Sequence, residues 1–101
     1  MTDQEKILKI IFSAVDETNL LLPNNRQLTK STETHLFGDL SELDSLGFMG
    51  FIVTTEQKIK EEFGGLITLA NERAMSQENS PFRTIGTLAD YIYLLYKEKF
   101  E

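Results

Sequence analysis

The chain has 101 residues, enough for one small domain (residues 1–101) with a compact core. Hydrophobic residues make up 41% of it and charged residues 26%, which is typical of a globular domain and excludes a chain disordered by composition. Sixteen acidic side chains against ten lysines and arginines give a formal net charge of -6, so we expect no binding to nucleic-acid phosphates.

Cysteine is absent, which excludes disulfides, thiolate metal sites and a cysteine nucleophile. The first residues lack the basic start and the continuous apolar run of a signal peptide. No stretch reaches the roughly 18 consecutive apolar residues of a membrane span. These features favour a cytoplasmic protein without membrane insertion, and we expect it to be a monomer.

The first predicted element is a helix over residues 3–18. Its apolar side chains recur at the three- and four-residue intervals of one helix face. Thr2 or Asp3 can cap the beginning of this helix, and Asn19 followed by Pro23 ends it.

Residues 20–43 lack helical periodicity, and Thr, Ser, Asn and Gly become common there. Several leucines remain, which is too many apolar residues for a flexible linker. We therefore predict a long ordered loop between the first and second helices. A loop of this length in a compact domain is commonly functional.

The second helix is predicted over residues 45–63, where Gly64 is typical of a helix C-terminus. A short helix over residues 69–75 follows, and then a last helix that Thr84 or Thr87 caps. Strand alternation, internal repeats and low-complexity tracts are absent from the sequence. The pattern predicts an all-α four-helix bundle with three main helices and one short helix.

Asp44 and Ser45 stand where the long loop ends and the second helix begins. Asp44 is placed to act as the N-cap, so that Ser45 takes the first helical position with its hydroxyl expected to face outward. The first turn of a helix leaves N–H groups unpaired and carries partial positive charge, which would hold a phosphate ester on a serine there. The serine needs no activation of its own if another enzyme installs the group. Its position favours a site of covalent attachment.

The residues 43–46, Leu-Asp-Ser-Leu before an apolar helix, resemble the acyl carrier proteins. The resemblance continues in Phe-Gly at residues 63–64, in a short third helix, and in the segment 82–92, which is similar to the family's Thr-Val-Gly-Asp-Leu-x-x-Tyr-Ile ending. It therefore covers most of the chain, from about residue 36 to residue 92.

This resemblance implies a four-helix bundle of acyl-carrier-protein type. It also implies that 4′-phosphopantetheine is attached covalently to Ser45, with Asp44 and Leu46 beside it. The terminal thiol of this cofactor would carry acyl groups as thioesters, and the chain would have no catalytic site of its own. The implied partners are a phosphopantetheinyl transferase and the enzymes that load and transfer acyl groups.

Many members of the family carry acidic residues just after the modified serine, where they dock basic partner enzymes. This chain has Gly47, Phe48, Met49 and Gly50 there, and Glu56 stands where the family's mid-helix glutamate would be. These five residues are the candidates for partner contacts, with the alternatives that Phe48 and Met49 belong to the core and that Glu56 is simply a solvated side chain. We expect the two glycines to leave a groove that the pantetheine arm or a partner helix can approach. The low charge favours a specialised lipid, polyketide-like or modification pathway.

We expect apolar side chains between the second and third helices to shelter the acyl chain. The candidates are Phe48, Ile52, Met75 and Ile85.

Other interpretations remain open. Ser45 could simply belong to a helix cap, with Ser41 and Asp44 in a capping box. A serine hydrolase and a metal site are disfavoured because the single histidine, His35, lies upstream of the serine. A peptidyl or aminoacyl carrier shares the chemistry but more often has Gly-Gly-Asp-Ser before the helix. An unmodified interaction module would use residues 47–51 to bind a partner helix.

Overall fold

The computed structural model describes residues 2–24, 27–36, 43–65, 67, 69 and 82–100. Three α-helices lie within them: α1 (Asp3–Asn19), α2 (Ser45–Phe63) and α3 (Ile85–Phe100). The described part of the chain forms no strand, so the prediction of an all-helical fold is confirmed there. The short helix predicted over residues 69–75 lies outside the described residues, apart from Leu69.

Side-chain caps and one glycine set the helix ends. Thr2 caps α1, since its Oγ1 accepts a hydrogen bond from the Glu5 N–H at 3.1 Å. At the beginning of α3, the Thr87 N–H donates to Thr84 Oγ1 at 3.1 Å and the Thr84 N–H donates to Thr87 Oγ1 at 3.0 Å. Gly64 ends α2 with a φ of 74°, a left-handed conformation that glycine adopts without steric cost. These caps fix the lengths of the helices.

The core lies where α1 packs against both α2 and α3. Each fully buried apolar side chain there contributes on the order of 1.5–3 kcal/mol to stability. The fully buried side chains of the three helices include Ile7, Ile11, Phe51, Ile52, Ile59, Ile85, Leu88 and Ile92. Thr55 is also buried, and its hydroxyl donates to the Phe51 carbonyl oxygen at 2.9 Å, so it brings no unpaired polar group into the core.

The loop after α1 is tied to both α1 and α3. The Asn19 side chain accepts a hydrogen bond from the Leu28 N–H at 2.8 Å and donates to the Leu28 carbonyl oxygen at 3.0 Å. Farther along, the Ile85 N–H of α3 donates to the Thr34 carbonyl oxygen at 3.0 Å, and the Leu36 N–H donates to the carbonyl oxygen of Arg83, just before α3, at 2.9 Å. Leu28 and Leu36 are both buried. Residues 27–36 of the predicted loop are therefore packed against the helices, whereas residues 25, 26 and 37–42 of it lie outside the described part of the chain.

The outer faces of the helices are polar and carry ion pairs. Lys58 of α2 pairs with Glu17 of α1, and Lys30 Nζ lies 3.2 Å from Asp16 Oδ1. Exposed pairs of this kind contribute about 0–1 kcal/mol each. Among the described helices, none combines the length and the apolar character that crossing a membrane requires.

Candidate functional site

Asp44 caps α2, and Ser45 is the first residue of that helix. The Asp44 backbone is extended, and its Oδ1 accepts a hydrogen bond from the Gly47 N–H at 2.7 Å. Its carbonyl oxygen accepts from the Phe48 N–H at 2.8 Å and so begins the helical ladder. The cap expected from the sequence is thus formed. The Ser45 side chain, whose hydroxyl we expect to face outward, lies outside the described part of the structure.

The amino-terminal end of α2 suits an anionic group. The aligned peptide dipoles of its 19 residues place partial positive charge at this end. The first turn of α2 holds no acidic side chain, and the carboxylate of Asp44 just before it is engaged by a backbone N–H. A phosphate ester on residue 45 would lie beside this positive end.

Replacing Asp44 by alanine is expected to lower the free energy of unfolding by about 1 kcal/mol, because the Gly47 N–H loses its acceptor. Asparagine keeps a side-chain oxygen at the cap, so Asp44→Asn is the matched control and should stay close to the wild type. Urea unfolding followed by circular dichroism measures both variants. Equal losses in the two would contradict the capping role.

Two residues of the expected partner surface make internal contacts instead. Phe48 is 2% exposed, and its ring meets the Phe82 ring edge-on with centroids 5.6 Å apart. Its position on α2 points it into the core, which agrees with the core alternative for this residue. Glu56 is half-buried and accepts a hydrogen bond from the Leu69 N–H at 2.8 Å. Its carboxylate holds the chain beyond α2.

The other residues expected to meet partners are accessible. Met49 is 40% exposed, Gly50 is exposed and Gly47 is half-buried. Leu46, which lies beside the expected attachment residue, is 83% exposed and does not pack into the core. Leu46 and Met49 therefore expose apolar side chains at the beginning of α2, beside the exposed carboxylate of Asp44.

The side chains expected to shelter an acyl chain are part of the packed core. Phe48, Ile52 and Ile85 are buried and belong to one cluster of apolar side chains. Met75 lies outside the described residues. Because packed interiors leave few voids, an acyl chain could enter between these side chains only if they moved apart.

A groove of about 660 Å³ lies between the end of α1 and the first half of α2. Leu20 and Leu21 line one side, and Leu46, Gly47 and Gly50 line the other; we call this the α1–α2 groove. The sequence predicted a groove at the two glycines, but the wall formed by Leu20 and Leu21 was missed. Leucines just after a helix end belong to no periodic pattern that could have indicated them.

The search for a metal centre among the described residues and the comparisons with known proteins add no further information on this site. The described residues contain no group of three His, Asp or Glu side chains that could hold a metal ion. His35 pairs through its backbone with Thr84 in an isolated antiparallel bridge. Family models, curated proteins and solved structures give no match to the chain.

Proposed function

We propose that the protein is an acyl carrier protein whose Ser45 receives 4′-phosphopantetheine from coenzyme A through a separate phosphopantetheinyl transferase. The serine hydroxyl replaces the phosphoanhydride link of coenzyme A with a phosphodiester, and an adenosine bisphosphate leaves. The terminal thiol then carries an acyl group as a thioester between the enzymes of a specialised pathway. The chain itself catalyses no step.

The position of residue 45 carries this proposal. It follows the Asp44 cap directly and begins a helix of 19 residues, within the run Leu-Asp-Ser-Leu that resembles the carrier family. The helix end favours the phosphate of the cofactor. Leu46, the next residue, is exposed, so a transferase has access to this turn.

The three described helices and the tied loop are compatible with the bundle of this family. In the proposed structure a short fourth helix over residues 69–75 completes the bundle. The carrier works in the cytoplasm as a monomer, and it meets acyl-loading and acyl-transferring enzymes in turn.

Intact-mass measurement tests the attachment. The purified protein is incubated with coenzyme A and a promiscuous phosphopantetheinyl transferase. We expect the wild type to gain the mass of one phosphopantetheine and Ser45→Ala to gain nothing. Ser13→Ala, a serine replacement within α1, is the matched control and should gain the same mass as the wild type. No gain on the wild type, or an equal gain on Ser45→Ala, would contradict the proposal.

An unmodified interaction module is the second candidate, because large apolar side chains are exposed at Leu20, Leu21 and Leu46. Such a module would bind a partner helix through this surface and leave Ser45 bare. The mass measurement separates the two functions. A peptidyl or aminoacyl carrier would gain the same mass, and loading the modified protein with acyl groups or with amino acids distinguishes these cargoes.

A further inference from the structure

A second groove, of about 320 Å³, lies between the first part of α1 and the last two turns of α2. Its side chains fall at the three- and four-residue spacing of one side of each helix. They include Lys6, Lys9 and Ser13 of α1 and Lys58, Glu61 and Glu62 of α2. We call this the lysine–glutamate groove. It lies at the opposite end of the two packed helices from the α1–α2 groove.

The two sides of this groove carry opposite charges. Lys6 and Lys9 lie on the α1 side, and Glu61 and Glu62 lie on the α2 side. None of these four forms an ion pair with another side chain among the described residues. Lys9 and both glutamates are exposed, and Lys6 is half-buried. Two positive and two negative groups therefore face one shared space, and each remains available to another molecule.

The stability of α2 does not account for the two glutamates. Glu61 and Glu62 lie in its last turn, where the partial negative charge of the helix end disfavours acidic side chains. Lys60, the basic residue of the same turn, does not line the groove, and Lys58 already pairs with Glu17 of α1. Residues that break a local rule without a compensating contact are commonly those that serve a function.

The charges of the groove call for an occupant that presents both signs at regular intervals. Lys6 and Lys9 are three residues apart on α1, so a row of carboxylates that matches them has the spacing of one helix side. The α1 side from Lys6 to Ser13 is about 10 Å long, or roughly two helical turns. Ile10 also lines the groove but is buried, so contacts between charges would dominate over apolar burial here.

We propose that the lysine–glutamate groove binds an α-helix of a partner protein, which directs acidic side chains toward α1 and basic side chains toward α2. A second copy of the chain is a poorer occupant, because a contact of two helical turns buries less surface than a stable dimer needs. Glu61 lies sixteen residues beyond Ser45 along α2, or about 24 Å, so the bound helix leaves the attachment turn uncovered. The proposal does not require that Ser45 is modified.

Three synthetic helical peptides of equal length serve as probes, and amide NMR shifts of the isotope-labelled protein measure their binding. The mixed peptide carries glutamates along one side and lysines along another, the second carries glutamate at all these positions, and the third carries lysine at all of them. We expect the mixed peptide to shift the amides of the groove and to bind there at least about ten times more tightly than either uniform peptide. Each uniform peptide meets like charges on one side of the groove.

Reversing the charge of one side should change which peptide binds best. Lys6→Glu combined with Lys9→Glu makes both sides acidic, so the all-lysine peptide should become the tightest ligand at the groove. Glu61→Lys combined with Glu62→Lys makes both sides basic and should favour the all-glutamate peptide. The second variant tests the proposal from the other helix, so the result does not depend on the folding of one variant.

Lys30→Glu combined with Lys97→Glu is the matched control. It has the same net charge as the variant with two lysines replaced on α1, but Lys30 and Lys97 are exposed and lie outside the groove. It should therefore keep the wild-type preference for the mixed peptide. Circular dichroism verifies that each variant is folded.

The proposal is overturned by the absence of any groove shift with the mixed peptide at about 1 mM, or by tighter binding of a uniform peptide to the wild type. It is also overturned if the control variant loses the preference as fully as the groove variants. Groove shifts that appear on raising the protein concentration alone would make a second copy the occupant. Displacement of the mixed peptide by an equal concentration of glycine would make a small zwitterion the occupant, and both results contradict a partner helix. Failure of the proposed carrier function is seen separately, as the absence of a mass gain on the wild type.

Discussion

Replacing Phe48 by alanine is expected to lower the free energy of unfolding by about 3–5 kcal/mol. The ring is buried and packs edge-on against Phe82, which in turn meets Tyr91 with centroids 6.0 Å apart. Truncation removes these contacts and leaves a cavity that the surrounding side chains fill only in part. Domains of this size commonly have a total stability of about 5–15 kcal/mol, so the loss is a large share of it.

Met49→Ala is the matched control for Phe48→Ala. Met49 is the next residue on α2 and is exposed, so its truncation should cost less than about 1 kcal/mol. Urea unfolding followed by circular dichroism gives both values. Comparable losses at the two positions would contradict the assignment of Phe48 to the core and of Met49 to the surface.

The main helices could be predicted from the sequence because each carries its own signals. The α2 helix has a capping aspartate before it and glycine directly after it, and both ends agree with the prediction. The α1 helix extends one residue beyond its predicted end, to Asn19. Capping and periodicity are local properties, so they can be read without knowledge of the tertiary structure.

The roles of neighbouring apolar residues could not be predicted in the same way. The sequence placed both Phe48 and Met49 in the core by preference, but Met49 is 40% exposed, because only Phe48 faces the Phe82 ring. The contact between Glu56 and Leu69 joins residues that are 13 positions apart, and no pattern in the sequence indicates it. Local periodicity places a residue on a helix, whereas tertiary packing decides its neighbours.

In the candidate site, too, the local features could be predicted from the sequence and the tertiary contacts could not. The sequence predicted the capping role of Asp44 because an aspartate directly before an apolar helix commonly acts as its N-cap. It could not show that Leu20 and Leu21 lie across from the beginning of α2, since this depends on how the turn after α1 packs. Attachment at Ser45 remains a prediction from the motif, which the mass measurement tests.

Gly86→Ala is expected to lower the free energy of unfolding by about 1–3 kcal/mol. A Cβ atom at this position of α3 would lie 2.9 Å from the Thr32 carbonyl oxygen and 3.3 Å from Thr32 Cβ. The same carbonyl oxygen accepts a hydrogen bond from the Gly86 N–H at 2.8 Å, so moving it away weakens that bond as well. The loss arises because the loop backbone at Thr32 cannot move away from the added Cβ atom without weakening its hydrogen bond to α3. This loss in the free energy of unfolding should exceed the gain of up to about 1 kcal/mol that alanine brings over glycine through its higher helix propensity.

Gly50→Ala is the matched control and should have the opposite sign. Gly50 is also a helical glycine, but an added Cβ would meet nothing within 4 Å. Only the helix propensity changes, so the free energy of unfolding should rise by about 0.5–1 kcal/mol. Urea unfolding of both variants measures the difference. A gain in both would mean that the loop around Thr32 is not held against α3, and the tie that orders the chain on its way to Ser45 would then lie elsewhere.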